Sequence, residues 1–302
     1  MGKTFYFDWE MSLIKWLQTN LSSFVDFGEY FVKLGSELIP ICVIAYVYLV
    51  YDKKIGRKIM INTIVGLCFA CGLKNIFKRR RPYFDNDEIK CLIPVDSNYD
   101  VYDVSGQGYS FPSLHSFNVT CISFSLYKYL KKNYILILSI LISFLVGLSR
   151  IITANHFPSD VIMGWIIGIV SIIVVDYLQE KIEKKKLYLS LSIFFLLFYI
   201  FCRSNDFYSS YGIMVGFFLA DLYDDKYVKF ENTKNYIRGL LRIIIAGIIF
   251  LIISGIIKLL LLSNLPMMFD YLFRTLRYGL SIFISLGIYP RIFKRNIFKF
   301  KK

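Results

Sequence analysis

Apolar residues in this chain recur in long runs almost free of charge, separated by short and mostly basic connections. A run near 20 residues matches the hydrocarbon thickness of a bilayer at about 1.5 Å rise per residue. Such runs lie at roughly 36–51, 58–77, 113–130, 134–152, 158–178, 187–203, 207–223, 239–262 and 270–292, which predicts about nine spanning helices. The weaker period-2 alternation of a membrane barrel is missing. Ahead of the first run, Leu13, Trp16, Leu17, Leu21, Phe24 and Val25 share one face at helical spacing, with polar and charged residues opposite. That pattern predicts an amphipathic helix lying in the membrane interface. The expected fold class is all-α, a polytopic transmembrane helical bundle. It divides into an interfacial helix within 1–35, a membrane core over 36–180 and additional transmembrane helices over 181–302.

Composition sharpens this picture. The chain is 56% hydrophobic, too much for a soluble chain of this length with so many charge-free runs. Its net charge of +14 would raise nucleic acid as a partner for a soluble protein. Here the basic residues crowd the connections, as membrane orientation requires, and no nucleic-acid partner is expected. Lys53, Lys54, Arg57 and Lys58 join the first two runs, and Lys128, Lys131 and Lys132 join the third and fourth. Lys181, Lys184, Lys185 and Lys186 follow the fifth; Lys226, Lys229, Lys234 and Arg238 follow the seventh; Lys294, Arg295, Lys299, Lys301 and Lys302 end the chain. With an odd number of spans all these fall on one side, which the positive-inside rule makes cytoplasmic. Residues 83–111 on the other side are acidic, with Asp85, Asp87, Glu88, Asp96, Asp100 and Asp103 against Lys90. The N-terminus is thus expected outside and the C-terminus in the cytoplasm. The stretch from Met1 to Phe27 lacks the pattern of a cleavable signal peptide. Cys68-x-x-Cys71 sits in an apolar run with no other ligands nearby and reads as small packing residues.

One basic cluster, Lys78, Arg79, Arg80 and Arg81, falls on the outer side against the rule, and anion binding is the obvious reason. Lys78, Arg79 and Arg80 are read as interfacial residues that contact headgroups. Three polar strings converge on that face. The first runs from Lys74 to Pro82. The second is Phe111-Pro112-Ser113-Leu114-His115-Ser116. The third runs from Ser149 to Asp160 and contains Arg150 and His156. His115 and His156 are the two histidines of the chain. Lys74 and Arg81, seven residues apart, share a face if the helix persists between them. With Arg150 they supply three cations, a set suited to a phosphoryl group. Ser113 and the N–H groups of the helix start add neutral donors. Asp160 is four residues past His156, within reach of one ring nitrogen. The other nitrogen is then a nucleophile, and His115 is left as general acid. No His, Cys or carboxylate set suggests a metal site, and no cofactor is expected.

These strings closely resemble the signature of the type 2 phosphatidic acid phosphatase family: K-x6-R-P, then P-S-G-H, then S-R-x5-H-x3-D. Lys74, Arg81 and Pro82 match the first part; Pro112, Ser113 and His115 the second; Ser149, Arg150, His156 and Asp160 the third. Leu114 stands where the family has glycine. It keeps the backbone N–H, so a phosphate contact there is still expected, and its added side chain makes crowding of the phosphate or a redirected loop the point to check. The resemblance covers roughly residues 36–178. It implies a phosphohistidine on His156, oriented by Asp160, with His115 as acid, and a phosphate held by Lys74, Arg81, Ser113, Leu114 and Arg150. It also implies hydrolysis of a lipid phosphate or pyrophosphate in a cell membrane, expected to be bacterial, and the loop charges put that site on the outer face. Undecaprenyl pyrophosphate is the first substrate expected; phosphatidic acid and phosphatidylglycerophosphate stay open. A lipid-linked phosphotransferase using the same histidine is the nearest alternative, and a non-enzymatic lipid transporter is the other. In the last run, Asp270 and Arg274 are spaced to pair; with Arg277 they read first as interfacial charges on the outer segment of that helix, and a place beside the lipid access route is the functional alternative.

Overall fold

A computed structural model describes residues 2–3, 5–21, 31, 35–36, 38–260 and 267–294. Phe24, Val25, Arg295, Lys299, Lys301 and Lys302 lie outside the described residues. Among those described, regular structure is helical, with one isolated backbone bridge between Lys3 and Arg79. The main helices are α1 (Asp8–Asn20), α2 (Leu38–Tyr46, continued by a wider turn at Val47–Tyr51), α3 (Lys53–Phe77), α4 (Leu114–Leu130), α5 (Asn133–Ile152), α6 (Pro158–Lys181), α7 (Lys184–Tyr199), α8 (Asn205–Tyr223), α9 (Tyr236–Leu260) and α10 (Met267–Ile282). Four of them, α3, α5, α6 and α9, are long and apolar enough to cross a membrane, and Leu38–Tyr51 forms a shorter apolar helix. The other expected spans coincide with helices that are shorter, or in α8 more polar.

The chain forms two compact units. The first comprises Met1–Ile41 and Phe69–Val174. Its helices α4 and α5 form a hairpin turned by Lys131, whose φ of 52° closes the end of α4. The start of α6 packs closely on α4: a Cβ on Gly164 would stand 2.6 Å from the Ser113 carbonyl oxygen. Small residues at such a crossing let two membrane helices approach backbone to backbone. In helix α1 the face that packs is Met11, Ile14 and Leu17, while Trp16 is 57% exposed. These three residues follow the i, i+3, i+6 spacing and meet Tyr83, Ile89, Ile151, Ile152, Phe157 and Val161. Gln18 then donates to the carbonyls of Lys90 and Ile152. The helix is therefore docked on protein along one side.

The second unit comprises Cys42–Cys68 and Val175–Lys302. Helices α8 and α10 cross at glycines, where a Cβ on Gly212 would stand 2.4 Å from the Thr275 carbonyl oxygen. Buried carboxylates of Asp221 and Asp224 need cations in a low-dielectric interior. Arg57 Nε binds Asp221 at 2.6 Å, its Nη2 binds Asp225 at 2.8 Å, and Lys184 bridges both aspartates. Lys53 pairs with Asp224, and the Tyr188 hydroxyl donates to Asp221 at 2.7 Å. In the helix where an Asp270–Arg274 pair is expected, the Arg274 Nε has no hydrogen-bond partner among the described residues.

Candidate active site

Three local geometries build the site, all within the first unit. Helix α3 stops at Phe77 because Lys78 adopts a left-handed φ of 49°. Residues 79–81 then run extended beside the N-terminal segment: Lys3 N–H donates to the Lys78 carbonyl, and Arg80 N–H to the Lys3 carbonyl. Arg81 therefore does not share a helical face with Lys74, a correction to the expected spacing argument. The strap along Lys3 supplies backbone partners that the helix would otherwise have provided. Arg81 reaches the site from the extended segment instead. Its Nε and Nη2 donate to the Gln107 carbonyl at 2.9 and 2.6 Å, and Nη1 donates to the Asn155 carbonyl at 2.6 Å. Lys74 Nζ donates to the Tyr109 carbonyl at 2.9 Å.

The second geometry is the start of α4. Ser113 is its N-cap, accepting from Ser116 N–H at 3.4 Å, and its own N–H donates to the Asp160 carbonyl at 3.0 Å. Ser113 thus shapes the helix start as a cap. The next N–H groups, from Leu114 onward, carry the donor capacity of that end. Leu114 begins the helix and is not among the residues with positive φ. Helical backbone is open to any L-residue, so the leucine requires no backbone strain here.

The third geometry is the turn between α5 and α6. Asn155 amide donates to the Ile93 carbonyl at 2.7 Å, and His156 N–H to the Arg150 carbonyl at 3.2 Å. Asp160, in the first turn of α6, accepts from Phe157 N–H through Oδ2 at 2.8 Å. The same oxygen lies 3.6 Å from His156 Nδ1. That separation is longer than a formed hydrogen bond, as is common for such pairs before substrate binds. His156 is buried, and burial pushes its imidazole well below the ordinary histidine range; the charges of Arg81, Arg150 and Lys74 act in the same sense. His115 is surrounded by the same three cations. Arg150 is 3% exposed, and its Nε has no partner among the described residues. A buried guanidinium nitrogen without an acceptor is costly unless one arrives.

The structure thus brings together Lys74, Arg81, Ser113, Leu114, His115, Arg150, His156 and Asp160. It also corrects the reading of Arg79, expected at the interface with headgroups. Arg79 is 1% exposed and points inward. Its Nη1 donates to Asp160 Oδ1 at 2.7 Å and its Nη2 to Glu10 Oε2 at 3.0 Å. Lys78 is exposed and Arg80 pairs with Asp85 at 2.9 Å. Glu10 was invisible as a site residue, because it stood on the polar side of a surface-type helix 69 positions from Arg79. The hint was its place on α1 one residue before the apolar stripe that packs.

Two family models match the chain: "PAP2 superfamily" over residues 56–184 and "PAP2 superfamily phosphatase, transmembrane extension" over residues 208–299. The chain belongs to the PAP2 superfamily, the type 2 phosphatase family that its polar strings resemble. Phosphatidylglycerophosphatase B of Bacillus subtilis (strain 168) is 34% identical over 90 residues, which are 27% of this chain and 44% of that protein. The match therefore spans less than half of that relative. No solved structure matches the chain.

Proposed function

We propose that this protein is a metal-independent lipid phosphatase of the bacterial cell membrane that works through a phosphohistidine on His156. The observation that carries the reading is the gathering of two histidines and three cations around one buried point, with the Asp160 carboxylate 3.6 Å behind His156. In the first step His156 Nε2 attacks phosphorus, the bond from phosphorus to the lipid oxygen breaks, and His115 gives that oxygen its proton. In the second step His115 takes a proton from water, the hydroxide oxygen bonds to phosphorus, and the P–N bond breaks to release inorganic phosphate. Arg150, Lys74, Arg81 and the start of α4 neutralise the phosphoryl oxygens, and Asp160 balances the charge on the imidazole. Ser113 supports this by capping α4, and Leu114 by presenting its backbone N–H.

The substrate class is a lipid phosphate or pyrophosphate. The name of the Bacillus subtilis relative favours phosphatidylglycerophosphate over undecaprenyl pyrophosphate, which the outward topology suggests. The basic connections support a topology with the N-terminus and site outside and the C-terminus in the cytoplasm. Exposed Trp9 and Trp16 on α1 suit headgroup level. The test is phosphate release by the purified full chain from each lipid, with EDTA present. His156→Ala is expected to abolish turnover and His115→Ala to reduce it by about 100-fold or more. Orthovanadate is expected to inhibit. Robust hydrolysis by His156→Ala removes the histidine nucleophile, and transfer of phosphate to an added alcohol acceptor in place of release favours the phosphotransferase.

A further inference from the structure

We propose that Glu10 and Arg79 are positioning residues for the nucleophile: a buried Glu10–Arg79–Asp160 relay, supplied partly by the N-terminal helix, sets the orientation and charge behind His156. The inference rests on the proposed role of His156. It concerns residues outside the family signature that the three polar strings match.

Asp160 is wholly buried, and a carboxylate there stays ionised only with charged or N–H partners. Its two oxygens are divided. Oδ1 is bound by Arg79 Nη1 at 2.7 Å, and Oδ2, held by Phe157 N–H, faces His156. Arg79 therefore fixes the rotation of the carboxylate that aims Oδ2 at the imidazole. The guanidinium itself is clamped. Its carbon lies 3.9 Å from the centre of the Phe157 ring and 4.8 Å from that of Phe5, and Nη1 also donates to Ser159 Oγ at 2.7 Å. Glu10 closes the chain. Its Oε2 accepts from Arg79 and from Phe7 N–H at 2.9 Å, and its Oε1 accepts from Ser159 N–H at 2.9 Å and Oγ at 2.6 Å. No donor on this carboxylate faces bulk water; Glu10 is 0% exposed.

The charge count gives the relay a chemical purpose. Arg79 alone would neutralise Asp160, leaving nothing to balance an imidazolium. With Glu10 added, one guanidinium serves two carboxylates and the relay keeps a net charge of about −1. That is the complement of the positive charge that forms on the His156 ring as its Nε2 bonds to phosphorus. The charges of Arg81, Arg150, Lys74 and His115 also act on His156 and oppose protonation of the ring before attack. Ser110 also faces Asp160. A purely structural dock for α1 would need the ion pair with Arg79. It would not need Arg79 to continue to the carboxylate behind the nucleophile.

The two charges act on His156 with opposite sign, and this makes the relay testable. Glu10→Gln keeps the shape and removes a negative charge, so His156 becomes harder to protonate. The acid limb of kcat/KM is expected to move to lower pH by about one unit. Arg79→Gln removes the cation between two carboxylates, and the limb is expected to move to higher pH by a similar amount, about one unit. Both variants are expected to lose about 10–100-fold in kcat with little change in KM, the range for residues that orient a catalytic imidazole through its partner. Arg79→Lys, which keeps the charge, is expected to recover part of kcat and leave the limb in place. The measurements use the full chain in detergent with a short-chain phosphatidic acid, beside thermal unfolding of each variant. The His156 ring titration followed by NMR reads the same opposite displacements without turnover. If wild type releases no phosphate from any lipid, the function fails while the NMR titration still decides the relay. Displacements in the same direction, or unmoved titrations with activity lost only in step with folded protein, overturn it.

Discussion

His156 carries the chemistry proposed here, and its surroundings predict a pH signature. The ring must be neutral to attack. Burial and the nearby cations hold its proton affinity well below the ordinary histidine range, so the ring stays neutral further into acid. The sign follows: the acid limb of kcat/KM, corrected for the titration of the substrate itself, is expected below about pH 6.5, the usual histidine value. A limb at or above that value would contradict the described environment. Glu10 adds a second effect in the same direction of pH. Burial works to raise its proton affinity, but the donors Ser159 and Phe7 and the charge of Arg79 outweigh it and lower it. A depressed carboxylate contributes stability that is present above its unfolded pKa and is lost as pH falls through the folded one. Docking of α1 is thus expected to loosen only in strong acid, below the carboxylate range.

At the scale of elements, the approach of α6 to α4 places Asp160 against Ser113 and therefore aligns two of the three polar strings. Gly164 makes that approach possible, since any side chain there meets the Ser113 carbonyl. Gly164→Val is expected to destabilise the protein by about 1–3 kcal/mol as overpacking. It should also lower kcat more than stability alone accounts for, because α6 carries Asp160. Activity per folded molecule, measured beside thermal unfolding, checks this; unchanged specific activity would show that the crossing does not set the site. The helical reading of the apolar runs is closely matched in the observed elements, with α3, α4, α5 and α6 beginning and ending within a few residues of expectation. The packing face of α1 was less legible. Trp16 and Leu17 both fit an apolar stripe by spacing, and only the partner surface at Ile151 and Phe157 decides that Leu17 goes in and Trp16 stays out.

At the scale of the molecule, the second unit holds charges that hydropathy alone leaves unexplained. Asp221 is buried and shared by Arg57, Lys184 and Tyr188. Removing one partner of such a cluster leaves charge uncompensated, so Arg57→Ala is expected to cost up to about 3–5 kcal/mol, less if Lys184 compensates. Thermal unfolding checks this, and a loss under about 1 kcal/mol would mean that Arg57 adds little beyond a surface pair. Orientation is tested separately. Asn98→Cys, in the acidic loop after α3, is expected to react in intact cells with a membrane-impermeant thiol reagent. Protection there, with labelling only after lysis, would reverse the proposed topology.

By itself the sequence determined the helical membrane class, the approximate helix boundaries and the polar strings, because apolar runs, basic connections and a spaced signature are local properties of the chain. The signature residues it singled out, from Lys74 to Asp160, all lie in the first unit. What only the tertiary structure decided is which cations do what. Arg79, Arg80 and Arg81 are consecutive and chemically alike. A left-handed turn at Lys78 and the strap along Lys3 send Arg79 to Asp160 and Glu10, Arg80 to Asp85, and Arg81 to the Gln107 and Asn155 carbonyls. Apart from Asp85, five residues from Arg80, those partners are distant in sequence, so nothing local sends Arg79 and Arg81 to different places; the direction of each side chain comes from the extended backbone and from where buried acceptors wait.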